Sequence, residues 1–142
     1  MRNLTLTIWA ARCVLLVALA GSVHAADASL WKTYCDDAKK AAGERRFTEA
    51  NQFMGMALGV AEQFGEADPR LVETLFLAAG VQMAGKQFAD AEPHLRRALA
   101  LREAKLGTNH LSVAECVFHL GNNLGDHKKF ADAEPLLKRA EH

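Results

Sequence analysis

Prolines and aromatic residues are few in this chain of 142 residues. There are three prolines, and aromatic side chains make up 7% of the sequence. No segment alternates apolar and polar residues with period two, so strands are not expected. Half of the residues are hydrophobic, and the length is sufficient for one domain of ordinary size. The composition therefore favours a modest domain built from helices alone.

The chain carries no excess of charge of either sign. Its 17 basic residues balance 17 acidic residues, and the basic residues form no stripe or run. The electrostatic footprint expected of a nucleic-acid-binding protein is therefore missing. We do not expect DNA or RNA as a partner.

Residue patterns typical of catalysis are missing as well. The sequence has no glycine-rich phosphate loop, and no two histidines stand at i,i+4 with a carboxylate base between them. Neither Cys35 nor Cys116 has a histidine at the spacing of a known local signature. A lone histidine on a helix is more often a surface side chain than a ligand. We therefore expect no enzyme activity, no metal site and no cofactor.

The N-terminus has the three-part pattern of a secretory signal peptide. A start with two arginines and no acid is followed by an apolar stretch at residues 13–20 and by small residues at Val23 and Ala25. Cleavage is expected between Ala25 and Ala26. A retained membrane helix would need roughly 20 apolar residues, and Arg12 interrupts the only candidate. We expect a periplasmic or secreted protein without stable membrane insertion after cleavage.

One sequence block recurs at a period of 42 residues. The segment Phe88–Pro93 reads FADAEP and returns as Phe130–Pro135. A fainter copy, Phe47–Ala50, lies 41 residues before Phe88. Self-similarity at a fixed period in the range of 20–50 residues marks a solenoid, in which each unit buries its apolar face on its neighbours.

Apolar spacing and punctuating residues predict six helices with short connections. Asp68 followed by Pro69 is a strong start signal, because a capping carboxylate precedes proline at the first helical position. Ser112 and Glu115 have the spacing of a capping box. The predicted helices are about 30–42, 47 to the break at Gly65, 69–84, 88–106, one that follows His110, and 130–142.

The region 26–142 resembles tetratricopeptide repeats, especially the long kinesin-light-chain-like type with a 42-residue period. The repeats would cover about 29–65, 68–107 and 111–142. The resemblance implies a right-handed α-solenoid of about three antiparallel helix pairs. It rests on an aromatic residue and on small residues at the family's helix crossings in each copy: Phe47 with Ala38, Ala50 and Ala57; Phe88 with Ala79, Ala91 and Ala98; Phe130 with Gly121, Ala133 and Ala140.

In this family the first helix of each pair lines a concave groove, so the resemblance implies a non-catalytic scaffold that binds a protein or peptide. Carried over by register, the candidate peptide-binding residues are Lys39, Phe76, Met83, Phe118 and Asn122. A groove of aromatic residues, methionine and asparagine suits an extended or helical peptide. The alternative is that Phe76 and Phe118 stack on each other across the repeat interface, and the sequence leaves both interpretations open.

Several departures and alternatives accompany this hypothesis. Glu73 and Glu115 occupy groove positions, so the basic clamp with which some relatives hold a C-terminal carboxylate is not expected. The chain could instead be a structural repeat protein that forms homo-oligomers, or a truncated repeat protein without independent function. Four leucines of the last repeat are expected to lie partly exposed, which predicts a homodimer through the C-terminal repeat or a partner that docks there; they are Leu120, Leu124, Leu136 and Leu137.

Overall fold

The computed structural model describes residues 27–140. The predicted signal peptide and residues 141–142 of the predicted last helix lie outside this range. All regular structure within it is helical, and no strand occurs between residues 27 and 140. The six helices are α1 (residues 27–43), α2 (Phe47–Gln63), α3 (Pro69–Ala84), α4 (Phe88–Leu106), α5 (Leu111–Asp126) and α6 (Phe130–Ala140).

The helix ends follow local capping chemistry. The side chain of Asp68 accepts a hydrogen bond from the backbone N–H of Arg70 at 2.9 Å, and Pro69 occupies the first helical position, as predicted. The predicted capping box of α5 is wrong. His110 is the cap, because its Nδ1 accepts a hydrogen bond from the N–H of Ser112 at 3.1 Å. Ser112 itself already lies inside the helix.

Each helix pair closes through the same type of turn. Arg45, Lys86 and Lys128 adopt left-handed backbone conformations with φ of 61°, 60° and 62°. Residues other than glycine rarely adopt this backbone conformation, because their Cβ atom approaches the following carbonyl oxygen. The three positions recur at the period of the repeat, so the turn belongs to the repeated unit.

The helices stack in chain order, and each one packs on the next. Small residues allow the axes to approach closely at the crossings. Ala38, Ala50 and Ala57 are fully buried between α1 and α2, and Ala91 is fully buried between α4 and its neighbours. At Gly121, an added Cβ would lie only 2.7 Å from Cδ2 of Leu137. The result is an all-α solenoid of three helix pairs.

The last repeat covers part of the surface that the sequence predicted to be exposed. Leu120 and Leu124 are buried, with 1% and 0% of their surface exposed, because α6 and α4 cover this side of α5. The prediction that they form an apolar end face is therefore wrong. Leu136 and Leu137 are half-buried. Phe130, by contrast, is 66% exposed, whereas its repeat equivalents Phe47 and Phe88 are half-buried.

Phe47 shows what covers this aromatic position elsewhere. Its side chain lies against the turn of the next repeat, where a Cβ added at Gly85 would be 3.2 Å from Cγ of Phe47. The aromatic residue at the start of a second helix thus fills the space between one repeat and the next.

No helix between residues 27 and 140 is long and apolar enough to cross a membrane.

Candidate functional site

A cavity of about 740 Å³ lies between α3 and α5 and is also bordered by α4. We call this cavity the groove. The face of α3 toward it carries residues at i, i+3, i+7 and i+10, which share one side of a helix. From α3, the lining of the groove includes Glu73, Phe76, Gly80 and Met83. The other helices contribute Leu95, Leu101, Arg102, Lys105 and Leu106 of α4 and Glu115 and His119 of α5. The turn before α3 adds Glu66, Ala67 and Asp68.

One face of α3 packs in the core and another faces the groove. Leu71, Leu75 and Ala78 are buried in the core, whereas Gly80 lies exposed on the side of the groove. A Cβ added at Gly80 would meet no heavy atom of the described residues within 4 Å. The groove is therefore open above Gly80, and the chain leaves room there for an atom group from elsewhere.

Phe76 is held in place by two neighbours. Its ring meets the ring of His119 edge-on, with centroids 5.7 Å apart and an interplanar angle of 67°. The guanidinium carbon of Arg102 lies 4.7 Å from the centroid of Phe76, a distance suited to a cation–π contact. His119 also contacts Phe118 at 5.9 Å. Within residues 27–140 the rings of Phe76 and Phe118 each contact His119 instead of each other, so the direct stack of the two phenylalanines is wrong.

Arg102 connects α4 to the start of α5. Its Nη1 donates to the carbonyl oxygen of Ser112 at 2.7 Å and lies 3.3 Å from the carboxylate of Glu115. These contacts fix the guanidinium close to the ring of Phe76. Sequence reasoning missed Arg102 because the family's groove positions were carried over only for the first helix of each pair, and Arg102 belongs to a second helix.

One end of the groove is rich in carboxylates. Arg70 forms an ion pair with Asp68 at 2.7 Å, and this hydrogen-bonded guanidinium holds the pKa of Asp68 down at about 2. Lys105 donates to the carbonyl oxygen of Ala67 at 2.9 Å. Within the described part of the chain, Glu66 and Glu73 form no ion pair. The cations near this end are therefore already engaged, whereas two carboxylates have no cationic partner among residues 27–140.

The predicted site residues are only partly brought together. Phe76 and Met83 line the groove. Phe118 is 49% exposed on α5 but does not line the groove. Asn122 is half-buried on α5, and Lys39 is exposed on α1, outside the lining of the groove. The groove thus combines two predicted residues with His119 and Arg102, which were not predicted.

The two cysteines of the described chain are buried and free. Cys35 lies on α1 and Cys116 on α5. Burial raises the pKa of both thiols, which keeps them protonated and poorly reactive at neutral pH. No cluster of three or more histidine, cysteine, aspartate or glutamate side chains suited to a metal ion lies within residues 27–140.

A known protein family matches part of this sequence. The family model described as tetratricopeptide repeat matches residues 70–141, just over half of the chain. The matched region contains α3 without its first residue, Pro69, and all of α4 and α5, and therefore the three helices that line the groove. No protein with curated annotation matches the chain.

Proposed function

The chain belongs to the tetratricopeptide repeat family, and we propose that it is a non-catalytic scaffold that binds a protein or peptide in the groove. Repeats of this family generally mediate protein–protein interactions. The observation that carries the proposal is the groove itself, which is about 740 Å³ in volume and combines an apolar wall with a few convergent polar groups. Such cavities are typical of ligand sites.

The packing of Phe76 supports this function. Its ring is half-buried and fixed by His119 and Arg102, yet it still lines an open cavity. A preorganised aromatic side chain of this kind suits an interface anchor, because little rotamer freedom remains to be lost on binding. Phe76 and Met83 are therefore the proposed centre of the binding surface.

The proposal includes an exported location and a long type of repeat. Residues 1–25 have the charged, apolar and small-residue segments of a signal peptide, and the sequence repeat has a period of 42 residues. We propose that the leader is removed after Ala25 and that the protein acts in the periplasm or outside the cell. Intact mass spectrometry of protein exported by a secreting host tests the cleavage.

Photochemical cross-linking tests the binding function. A benzoylphenylalanine in place of Leu106, which is exposed and lines the groove, should give a discrete adduct with the partner in the native host. The same replacement at Met56, which is exposed on α2 outside the groove, should not give that adduct.

Two glycine variants provide the matched control for this experiment. Gly80 and Gly59 both lie exposed within helices, and a Cβ added at either would meet no described atom within 4 Å. Gly80→Phe fills the groove and should abolish the adduct from position 106, whereas Gly59→Phe should preserve it. An adduct that survives Gly80→Phe would contradict binding in the groove.

Self-association is the second candidate function, and the exposure of Phe130 favours it. Its equivalents in the first two repeats are half-buried, whereas Phe130 is 66% exposed. A second copy that covered Phe130 would repeat the packing that Phe47 makes within the chain. This candidate predicts a homodimer through the C-terminal repeat, which sedimentation velocity over a dilution series tests.

A further inference from the structure

We infer that the groove selects a peptide segment in which an apolar side chain lies about three residues from a lysine or arginine. The inference rests on the proposed function and names the chemistry of the partner. Its basis is the separation of apolar and acidic groups along α3. The apolar part of the groove surrounds Gly80, and the acidic part begins at Glu73.

The apolar part offers open space beside apolar side chains, where we place one large side chain of the partner. Phe76, Met83 and Leu95 line it, and the space above Gly80 is open. A methionine adapts its shape to different ligand side chains because it is unbranched and polarizable. An aliphatic or aromatic side chain of the partner would therefore lose its contact with water here.

The acidic part has carboxylates without cationic partners. Asp68 is paired with Arg70, and Glu115 is 3.3 Å from Arg102. Glu66 and Glu73 form no ion pair within residues 27–140. Lys105 is the remaining cation of the lining, and its ammonium group already donates to a backbone carbonyl. A cationic side chain of the partner would find free acceptors here, whereas an anionic one would face repulsion.

Helix geometry sets the spacing between the two parts. Glu73 and Gly80 are seven residues apart on α3, which corresponds to about 10 Å at the rise of an α-helix. An extended peptide covers about 10 Å in three residues. The partner side chains that enter the apolar part and meet Glu73 should therefore be about three residues apart in an extended segment.

Selection from a random peptide library displayed on phage tests the inference. The library is panned on the purified protein and, in parallel, on Gly80→Phe. Peptides retained only by the parent protein should share an apolar residue with a lysine or arginine about three positions away. Synthetic versions of these peptides are then titrated by fluorescence polarisation.

Charge variants separate this inference from the proposed function. Glu73→Gln should weaken binding of the selected peptides by about two- to five-fold at low ionic strength, and less at high ionic strength. Glu134→Gln, which removes an exposed carboxylate from α6, should leave the affinity unchanged. Phe76→Ala should weaken binding by about 30-fold, and Gly80→Phe provides the same comparison if Phe76→Ala does not fold.

The outcomes are distinguishable. Binding that depends on Phe76 and Gly80 but not on Glu73 or on the charge of the peptide would overturn the inference and keep the proposed function. Selected peptides that are rich in aspartate or glutamate would overturn it in the same way. If panning on Gly80→Phe recovers the same peptides as panning on the parent protein, the groove is not the binding surface and both proposals fail.

Discussion

Asp68 combines a helix cap with an ion pair at the edge of the groove. Its carboxylate accepts from the backbone N–H and the guanidinium of Arg70, and its pKa falls from 3.8 to about 2. A lowered pKa in the folded state stabilises the fold above the unfolded pKa, and this contribution is lost as the pH falls through the folded pKa. The contribution of Asp68 should thus disappear between about pH 4 and pH 2.

We predict that Asp68→Ala lowers the free energy of unfolding by about 1 kcal/mol at neutral pH. The difference from the parent should shrink as the pH falls through that range and vanish below about pH 2, where the carboxyl group is protonated in both states. Urea unfolding followed by circular dichroism at several pH values measures this. Asp90→Ala, at an exposed position in the first turn of α4, is the control. A pH-independent effect of Asp68→Ala would refute the assignment.

The left-handed backbone conformation of Lys86 determines which substitutions its turn tolerates. With φ at 60°, this position favours glycine over a β-branched residue. We predict that Lys86→Val is less stable than Lys86→Gly by about 1–2 kcal/mol. The order should reverse at Lys40, which is exposed within α1, because glycine is the poorer residue inside a helix. Thermal unfolding of the four variants provides the measurement, and the same order at both sites would contradict the turn geometry.

The ends of helices were predicted to within one residue where the sequence carries a clear start or stop signal. Asp68 and Pro69 mark the start of α3, and Gly107, with φ of 79°, follows the end of α4. The start of α5 after His110 was predicted as well, but its cap was not, because serine is a common cap, whereas here a histidine side chain, His110, accepts the bond. Local chemistry thus predicts the capping residue only when one side chain caps clearly better than its neighbours.

The residues of the groove were predicted only in part, because several of them are brought there by packing between helices that are distant in the sequence. The period of the repeat places Phe76 and Met83 on one face of α3. It does not show that Arg102 reaches Phe76 from the second helix of the pair, or that Phe76 and Phe118 both contact His119. It also does not show that α6 and α4 cover Leu120 and Leu124. Contacts between distant helices decide these points.

The close crossings of the helices depend on alanine. Ala91 is fully buried in the cluster that joins α3, α4, α5 and α6. We predict that Ala91→Leu costs about 1–3 kcal/mol, because the added atoms must push two helices apart. Ala89→Leu, at an exposed position on the same helix, should be nearly neutral. Denaturant unfolding of both variants checks this, and equal stabilities would mean that the crossing is loosely packed.

Across the whole molecule, Phe130 is the repeat position whose aromatic side chain has the least cover. We predict that the protein self-associates weakly at micromolar concentration and that Phe130→Ser reduces this association, because the ring no longer offers apolar surface to a second copy. Sedimentation velocity over a dilution series is the measurement. Met56→Ser, which removes an exposed apolar side chain from α2, is the control. A monomer at all concentrations would exclude the homodimer.

The most direct test of binding in the groove is a map of the surface that a bound peptide contacts. The purified protein, labelled with ¹⁵N, is titrated with a peptide selected on it, and amide chemical shifts are followed by NMR. The account predicts that the largest shifts occur at Phe76, Gly80, Met83, Arg102 and His119, on the three helices that line the groove. Shifts concentrated instead on the exposed side of α2 or around Phe130, with these five amides unchanged, would contradict it.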